Sequence, residues 1–132
     1  MITISLCMIV KNEEQVLSRC LDSLVGLMDE IIIVDTGSCD RTREIAARYT
    51  DKIYDYIWKD DFADARNFAF SKASMEYIYT ADADEVLDNE NREQFRLLKE
   101  AMVPEVEIVQ MKYVTKNEFN TVLNFKEEYR PK

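Results

Sequence analysis

Carboxylates stand directly after apolar segments at two places in this sequence. Asp35 ends the segment Glu30–Asp35 (EIIIVD), and Asp82 and Asp84 follow the segment Glu76–Ala81 (EYIYTA). Two carboxylates with one residue between them can share one hard cation such as Mg²⁺, because such ions take oxygen ligands. The chain has 26 acidic residues among 132, so this spacing also arises by chance in a solvated turn. The position of the pair after an apolar strand is the feature that favours a cation site.

Other polar and aromatic residues have two readings each. Asp35 could cap the following turn through backbone N–H groups, or it could accept a hydrogen bond from a base or ribose. Arg66 could be a solvated helix residue, or its guanidinium could balance the charge of a diphosphate. For Trp58 and Phe62 we expect a place in the core rather than a sugar-stacking role.

The ends of the predicted elements give two further expectations. Asp40 stands before Arg41 and Thr42 and is predicted to be a helix cap rather than a ligand. Lys11 follows the first apolar segment and is predicted to be a surface residue rather than a catalytic one.

The composition excludes several classes of protein. The absence of histidine rules out Ser-His-Asp and Cys-His catalysis and any His-ligated zinc site. The two glycines, Gly26 and Gly37, cannot form a Walker loop or a G-x-G-x-x-G fingerprint. The net charge of -9 argues against nucleic-acid binding and fits a protein that recruits a divalent cation.

The three cysteines stand at no metal-ligand spacing, and an odd number of them indicates reduced thiols. Cys7 and Cys20 fall among apolar residues and are predicted to be buried. The apolar run Ile2–Val10 is too short to span a bilayer and lacks the basic start of a signal peptide. These features predict a cytoplasmic protein, with peripheral association of the full-length protein at the cytoplasmic membrane face left open.

The apolar pattern predicts that strands and helices alternate. Predicted strands cover residues 2–10, 30–35, 52–58, 76–81 and 107–114, with a sixth at 121–125. Four helices are predicted between the strands. The first is capped by Asn12 with Gln15 as its partner, and the second is a short helix after residue 40. The third covers residues 62–73, with Phe62, Ala65, Ala69 and Ala73 on one side, and the fourth runs from Asn89 or Asn91 to about Met102. This order predicts an α/β fold with a mainly parallel sheet, whose ligands bind beyond the carboxyl ends of the strands. Lys11–Glu14, Asp35 and Asp82–Glu85 would therefore meet at one rim.

Four sequence blocks follow one another in a recognisable order. They are Cys7–Glu14 (CMIVKNEE), Asp29–Thr42 (DEIIIVDTGSCDRT), Asp61–Asn67 (DFADARN) and Asp82–Glu85 (DADE). Together they resemble glycosyltransferase family 2, in the form found in bacterial enzymes that glycosylate lipopolysaccharide cores, cell-surface polymers or peptides. The resemblance runs from residue 3 to about residue 88 and more loosely to the end. It implies a Rossmann-like GT-A fold, with residues 1–132 as a single nucleotide-sugar-binding domain.

The resemblance also implies a role for individual residues. Ile9, Val10, Lys11, Asn12 and Glu13 would line the nucleotide pocket, Asp35 would hold the uracil or ribose, and Arg66 would lie near the diphosphate. Asp84 would be the direct ligand of Mg²⁺ or Mn²⁺, with Asp82 nearer the ribose or a metal-bound water. The implied donor is a UDP-sugar. The implied reaction is an inverting attack by an acceptor hydroxyl of a glycan, lipid-linked or peptide acceptor, deprotonated by a carboxylate base.

One departure from the family separates binding from catalysis. Family members place the catalytic base and the acceptor-binding elements well after the D-x-D block, and no motif between residues 110 and 132 resembles them. Glu127 and Glu128 look like an exposed charge run. We therefore expect the base to lie beyond Lys132, the fold to be truncated, and this chain to bind nucleotide but transfer sugar poorly.

Three alternatives remain open from the sequence. The first is a non-catalytic domain that binds a sugar nucleotide or a partner. The second is a receiver-like phosphoacceptor domain, and the third is a nucleotidyltransferase. Lys11–Glu14 carries no glycine, whereas nucleotidyltransferases usually have a glycine-rich loop at this point.

Overall fold

The structure is a computed structural model that describes residues 1–101, 108–112 and 119–125. Its elements follow the predicted alternation, and the predicted roles of Glu127 and Glu128 lie outside the described residues. The strands are β1 (Ile4–Val10), β2 (Glu30–Asp35), β3 (Ile53–Asp55), β4 (Tyr77–Thr80), β5 (Ile108–Lys112) and β6 (Phe119–Phe125). The helices are α1 (Leu17–Leu24), α2 (Thr42–Ala46), α3 (Phe62–Lys72) and α4 (Asn89–Ala101).

The strands form one sheet in the order β3-β2-β1-β4-β6-β5. β1 pairs in parallel with β2 and with β4, and β2 pairs in parallel with β3. β6 is antiparallel to both of its neighbours, β4 and β5. The prediction of a mainly parallel sheet is thereby confirmed for β1 to β4.

The register of the sheet decides which residues meet at its rim. Val10 pairs with Asp35, so β1 and β2 end level with each other. Thr80, the last residue of β4, pairs with Cys7, so β4 ends three residues earlier and the segment after it continues towards the same edge. Because a parallel sheet aligns these ends, the segments that follow them share one edge. The predicted gathering of Lys11–Glu14, Asp35 and Asp82–Glu85 at one rim is confirmed at the level of topology.

Alternate residues of β1 face two separate apolar layers, as a strand buried on both faces requires. On one face, Leu6 and Met8 pack with α1, α2 and Phe95 of α4. On the other face, Cys7 packs with Ala65 and Ala69 of α3, whose small side chains let the helix lie close to the sheet. The predicted burial of Cys7 and Cys20 is confirmed, and Cys39 is exposed.

Two predicted element ends are wrong. The strand predicted over 52–58 is limited to Ile53–Asp55. The helix predicted from an Asn12 cap begins only at Leu17, after Val16, which makes no capping hydrogen bond through its side chain. Asp40 is not the N-cap of α2 as predicted, because that position is Arg41, which makes no capping hydrogen bond through its side chain. Asp40 precedes the N-cap, and its Oδ1 accepts from the backbone N–H of Thr42, the first residue of α2, at 2.9 Å. Among the described residues, no helix has the length and apolar character that crossing a membrane requires.

A buried carboxylate at the opposite, amino-terminal rim joins four parts of the fold. Glu30 is 6% exposed, and its carboxylate accepts from Ser5 Oγ at 2.7 Å, Ser74 N at 2.8 Å and Lys52 Nζ at 2.5 Å. Burial by itself would raise the pKa of Glu30, but the hydrogen bonds from Lys52, Ser5 and Ser74 outweigh it and lower the pKa to about 2. The ionised form is therefore the one that holds β1, β2, the start of β3 and the α3–β4 connection together.

We expect Glu30→Gln to lower the free energy of unfolding by about 1–3 kcal/mol at neutral pH, because hydrogen bonds to a charged group are lost in a buried place. The lowered pKa means that this stabilisation is complete above the unfolded-state pKa of 4.5 and is lost as the pH falls towards about 2. Urea unfolding at neutral pH and in acid measures both effects. Glu93→Gln is the matched control, because Glu93 pairs with Arg96 on the exposed face of α4. A deficit of Glu30→Gln that persists unchanged in acid would contradict the role of the ionised carboxylate.

Candidate functional site

The loops that follow β1 and β2 at the carboxyl rim are tied to each other. Asn12 N donates to Ser38 Oγ at 2.9 Å, and Asn12 Oδ1 accepts from Cys39 N at 2.7 Å. Glu13 N donates to Thr42 Oγ1 at 2.7 Å. Asn12 adopts a left-handed backbone with a φ of 52°, which asparagine tolerates better than most residues. Asn12 therefore links two loops instead of capping α1, and the two loops form one unit. We refer to these loops, residues 11–16 and 36–41, as the tied loops.

Asp35 is the buried anchor of this unit. Its side chain is 3% exposed, and its carboxylate accepts from Ser38 N at 3.2 Å and from Ser38 Oγ at 2.5 Å. The sequence left two roles open for Asp35, and these contacts correspond to the turn-capping role. The role towards a base or ribose stays a prediction. Because Asp35 is almost fully buried, a ligand has limited access to its carboxylate.

The segment after β4 is a closed turn with alternating burial. Asp82 and Asp84 are exposed, whereas Ala83 between them is 5% exposed. Glu85 N donates to Asp82 O at 3.0 Å, and Glu85 Oε1 accepts from Asp82 N at 2.9 Å. The buried alanine holds the turn against the core and leaves both aspartates at the surface. We refer to Asp82–Glu85 as the acidic turn.

Glu85 has a part in this site that the sequence interpretation did not assign. Its carboxylate closes the acidic turn on the backbone N–H of Asp82, three residues earlier. An acidic side chain three residues from a backbone N–H is the spacing of an ordinary capping contact, and that spacing was a usable signal in the sequence. Glu85 thus fixes the turn from which the two aspartates project.

Glu13 connects the acidic turn to the tied loops electrostatically. Burial raises the pKa of Glu13, and the negative charges of Asp84, Asp82 and Asp40 raise it further. Carboxylates from three segments therefore act on one another across the rim. Such a rim disfavours added negative charge and attracts cations.

The chemistry of the acidic turn fits a cation that a ligand helps to hold. In the part of the chain that the structure describes, no three His, Cys, Asp or Glu side chains are grouped as a complete metal site. Asp82 and Asp84 supply two carboxylates, and Mg²⁺ is commonly bound by one or two carboxylates together with substrate phosphates and water. The donor set therefore fits a divalent ion that arrives with a phosphorylated ligand.

A pocket of about 290 Å³ opens beside the acidic turn, between α3 and the ends of β1 and β4. Its wall carries both signs of charge, because Arg66 lines it together with Asp82 and Glu85. The Arg66 guanidinium lies over the ring of Phe62 at 4.8 Å from its centroid. The lining residues are Cys7, Ile9, Phe62, Arg66, Ala69, Phe70, Thr80, Ala81, Asp82 and Glu85.

The predicted site residues divide into two groups in space. Ile9, Arg66 and Asp82 line the pocket. The other predicted residues are not in its lining but lie along the rim beside it, at the end of β1 and β2, in the tied loops and in the acidic turn; they are Val10, Lys11, Asn12, Glu13, Asp35 and Asp84. Lys11 is exposed, as expected. The predicted site residues at the strand ends therefore lie along one rim of the sheet, but only some of the predicted residues line the pocket.

The core placement predicted for Trp58 and Phe62 is wrong. Trp58 is 41% exposed and Phe62 is 49% exposed, with their ring centroids 6.5 Å apart. The reason lies in the ends of the elements: β3 stops at Asp55, and Asp61 caps α3 by accepting from Asp64 N at 3.1 Å. Phe62 is therefore the first residue of α3, and that helix packs on the sheet through Ala65, Ala69 and Phe70 instead.

Comparison with known proteins identifies the family. The model of glycosyl transferase family 2 matches residues 5–130, so the chain belongs to this family. The glycosyltransferase SunS of Bacillus subtilis is 38% identical over 92 residues, which is 68% of this chain and 22% of SunS. The lipopolysaccharide core biosynthesis glycosyltransferase LpsC of Rhizobium meliloti is 36% identical over 112 residues, which is 80% of this chain and 39% of LpsC.

A TPR repeat-containing protein of Synechococcus elongatus is 47% identical over 87 residues, which is 66% of this chain and 22% of that protein. The chain thus spans about a fifth to two fifths of the length of these relatives.

Solved structures share the fold. Glucosyl-3-phosphoglycerate synthase from Mycobacterium tuberculosis in complex with UDP matches with a TM-score of 0.73 and 17% identity, over 96% of this chain and 57% of that chain. The same enzyme in complex with Mn²⁺ and UDP-glucose matches with a TM-score of 0.55 and 26% identity, over 64% of this chain and 34% of that chain. The GT-A fold that the resemblance implied is confirmed.

A matched pair of variants at Asn12 tests the link between the two loops. Asn12→Ala removes the hydrogen bond from Cys39 N and leaves a β-carbon in a left-handed backbone, whereas Asn12→Gly removes only the hydrogen bond. We expect Asn12→Ala to be less stable than Asn12→Gly by about 1 kcal/mol, because a left-handed conformation is unfavourable for residues other than glycine and asparagine. Urea unfolding of both variants and of the wild type measures the difference. A glycine variant as unstable as the alanine variant would show that the left-handed backbone is not retained.

Proposed function

We propose that this chain is the nucleotide-sugar-binding part of a glycosyltransferase that uses a UDP-sugar donor together with Mg²⁺ or Mn²⁺. The observation that carries the proposal is the pocket at the carboxyl rim, which Arg66 lines together with Asp82 and Glu85 of the acidic turn, in a chain of glycosyltransferase family 2. The similar synthase from Mycobacterium tuberculosis binds Mn²⁺ and UDP-glucose, which supports this choice of donor and ion.

The charges of the pocket suit a diphosphate only in the presence of a cation. A diphosphate is strongly negative, and Asp82, Asp84 and Glu85 stand in and beside the pocket. Asp84 would be the direct ligand of the divalent ion, and Asp82 would hold the ribose or an ion-bound water. When bound, the ion would neutralise the charge of the diphosphate leaving group. Arg66 would contribute a fixed positive charge from the pocket wall.

The tied loops would form the nucleoside side of the site. Ile9 lines the pocket, and Val10 is paired with Asp35 at the rim. Lys11, Asn12 and Glu13 follow in the loop that is hydrogen-bonded to residues 38–42. We place the uracil and ribose against these residues, with Asp35 acting mainly through the loop that it anchors.

The acceptor and the catalytic base complete the proposed reaction. A carboxylate base would deprotonate an acceptor hydroxyl, which attacks the anomeric carbon with inversion while the diphosphate leaves. We propose that the base lies beyond Lys132 and that the acceptor is a glycan, a lipid-linked molecule or a peptide. We also propose a cytoplasmic site of action, with contact to the cytoplasmic membrane face by the full-length protein. The three free thiols are consistent with this compartment.

Asp84→Asn tests the ion and the nucleotide together. Asparagine keeps the shape of the side chain but removes the charge of the proposed ligand. We expect Mn²⁺ to strengthen UDP binding by the wild type and to have little effect on the variant, while both bind weakly in EDTA. Trp58 is the single tryptophan of the chain and lies beside Phe62 of the pocket wall, so its fluorescence can follow the titration, with calorimetry as a second measurement.

The matched control for this titration is Asp51→Asn, which makes the same charge change in the exposed loop before β3, at the opposite rim. It should keep the full enhancement by Mn²⁺. Equal enhancement in Asp84→Asn and the wild type would refute the assignment of Asp84. Tight binding of UDP by the wild type in EDTA would refute the need for an ion.

Arg66→Met tests whether Arg66 contacts the diphosphate or the nucleoside of the ligand. Methionine keeps an unbranched side chain against Phe62 but removes the guanidinium. We expect affinity for UDP with Mn²⁺ to fall by about ten- to a hundredfold, as for the loss of a hydrogen bond to a charged group, and affinity for uridine to be unchanged. Calorimetric titration with both ligands measures the two constants. A parallel loss for uridine would place Arg66 at the nucleoside instead.

A further inference from the structure

The acidic turn rests on one helix through side chains that the proposed binding chemistry does not use. Cys20 Sγ of α1 donates to the carbonyl oxygen of Asp82 at 3.6 Å. Three residues along the same helix, Ser23 Oγ accepts from Leu87 N at 3.0 Å and donates to Cys20 O at 2.6 Å. Cys20 is 1% exposed and Ser23 is 9% exposed. Both ends of the segment from Asp82 to Leu87 are therefore fixed to α1.

These contacts are made with the backbone of the turn and not with its carboxylates. The carbonyl oxygen of Asp82 also accepts from Glu85 N at 3.0 Å, so the thiol adds a second donor to the same oxygen. Arg92 of α4 donates to the carbonyl oxygens of Ser23 at 2.6 Å and Val25 at 3.0 Å. These hydrogen bonds fix the end of α1 to α4, so the helix that contacts the acidic turn is itself fixed in position.

The same helix is joined to the nucleoside side of the rim. Val16 N and Leu17 N donate to the carbonyl oxygen of Glu13 at 3.1 and 3.0 Å, so α1 starts directly from the tied loops. One rigid helix therefore connects the loop that contains Lys11–Glu13 with the acidic turn. The distance between the two halves of the site depends on these contacts.

We propose that Cys20 and Ser23 are positioning residues, which fix the acidic turn so that Asp84 can bind the cation of the diphosphate while Asp82 stays at the ribose or an ion-bound water. This inference rests on the proposed function and extends it to a pair of side chains on α1. Neither side chain is assigned a contact with the nucleotide. Their loss should therefore weaken the contribution of the cation and leave the remaining nucleotide contacts intact.

The experiment is a UDP titration of the wild type, Cys20→Ala, Cys20→Ser and Ser23→Ala, each with Mn²⁺ and each with EDTA, at a temperature where thermal melting shows all four to be folded. The enhancement of UDP affinity by Mn²⁺ should fall about tenfold in Cys20→Ala and Ser23→Ala, as for the loss of groups that orient metal ligands. Affinity in EDTA should be unchanged. Cys20→Ser keeps a donor of similar size and should restore part of the enhancement.

Ser18→Ala is the matched control, because Ser18 lies on the same helix but is hydrogen-bonded to Tyr49 OH at 3.1 Å instead of the turn. It should keep the full enhancement. Hydrogen exchange without ligand gives a second measurement: the amides of residues 82–87 should exchange faster in Cys20→Ala and Ser23→Ala than in Ser18→Ala.

The outcomes separate this inference from the function on which it rests. A wild type whose UDP affinity does not respond to Mn²⁺ would overturn both. A wild type that responds, with an equal response in Cys20→Ala and Ser23→Ala, would overturn the positioning role alone. A loss of affinity in EDTA that matches the loss in Mn²⁺ would also overturn it, because the variants would then disturb the whole site.

Discussion

Repulsion among carboxylates at the carboxyl rim of the sheet is the interaction on which the site depends. The carboxyl ends of β1, β2 and β4 meet there, and the segments after them carry Glu13, Asp40, Asp82 and Asp84. The raised pKa of Glu13 records this repulsion, which adds to the effect of burial. Folding has to hold these groups together against their charge, and the hydrogen bonds between the loops and the packing of Ala83 do so. In the proposed function, a divalent cation would relieve this repulsion when a diphosphate binds.

The carboxylates at the two rims of the sheet differ in burial and in the contacts that they make. At the amino-terminal rim, Glu30 is compensated by Lys52, Ser5 and Ser74 and joins segments that are distant in sequence. At the carboxyl rim, Asp82 and Asp84 are exposed on a turn whose backbone accepts a hydrogen bond from Cys20 of α1. A satisfied buried carboxylate contributes to stability, whereas a pair of exposed carboxylates is accessible to a cation, as the proposed function requires. The group that stabilises the fold and the groups proposed to bind the ion therefore lie at opposite ends of one sheet.

Two aromatic side chains at and beside the pocket, Phe62 and Trp58, are exposed and not part of the core. Phe62 forms part of its wall under the guanidinium of Arg66, and Trp58 stands beside Phe62 outside the lining. The loop that carries Trp58 ends at Asp61, the cap of α3, which directly precedes Phe62. The cap fixes the first turn of α3 and, with it, the position of Arg66 one turn further along the helix.

Local pattern determined most of the elements of this protein. The apolar runs before Lys11, Asp35 and Asp82 predicted the three central strands, because a strand buried on both faces needs continuous apolar residues. The order of strands and helices then predicted parallel pairing and a common rim, and the four sequence blocks predicted the family. These features follow from the sequence because each depends on neighbouring residues or on general rules of chain connection.

Tertiary structure alone decided how the rim is assembled. Asn12 fits a helix cap in the sequence, but in the fold it bonds to Cys39, 27 residues away. Phe62 fits an apolar helix face, but the end of β3 and the cap at Asp61 leave it exposed at the pocket. Cys20 fits a small core residue, and it is one, yet its thiol meets the carbonyl oxygen of Asp82, 62 residues away. Hydrogen bonds between distant segments depend on the packing of helices and loops around the sheet, and the local periodicity that predicts the elements carries no information about those distances.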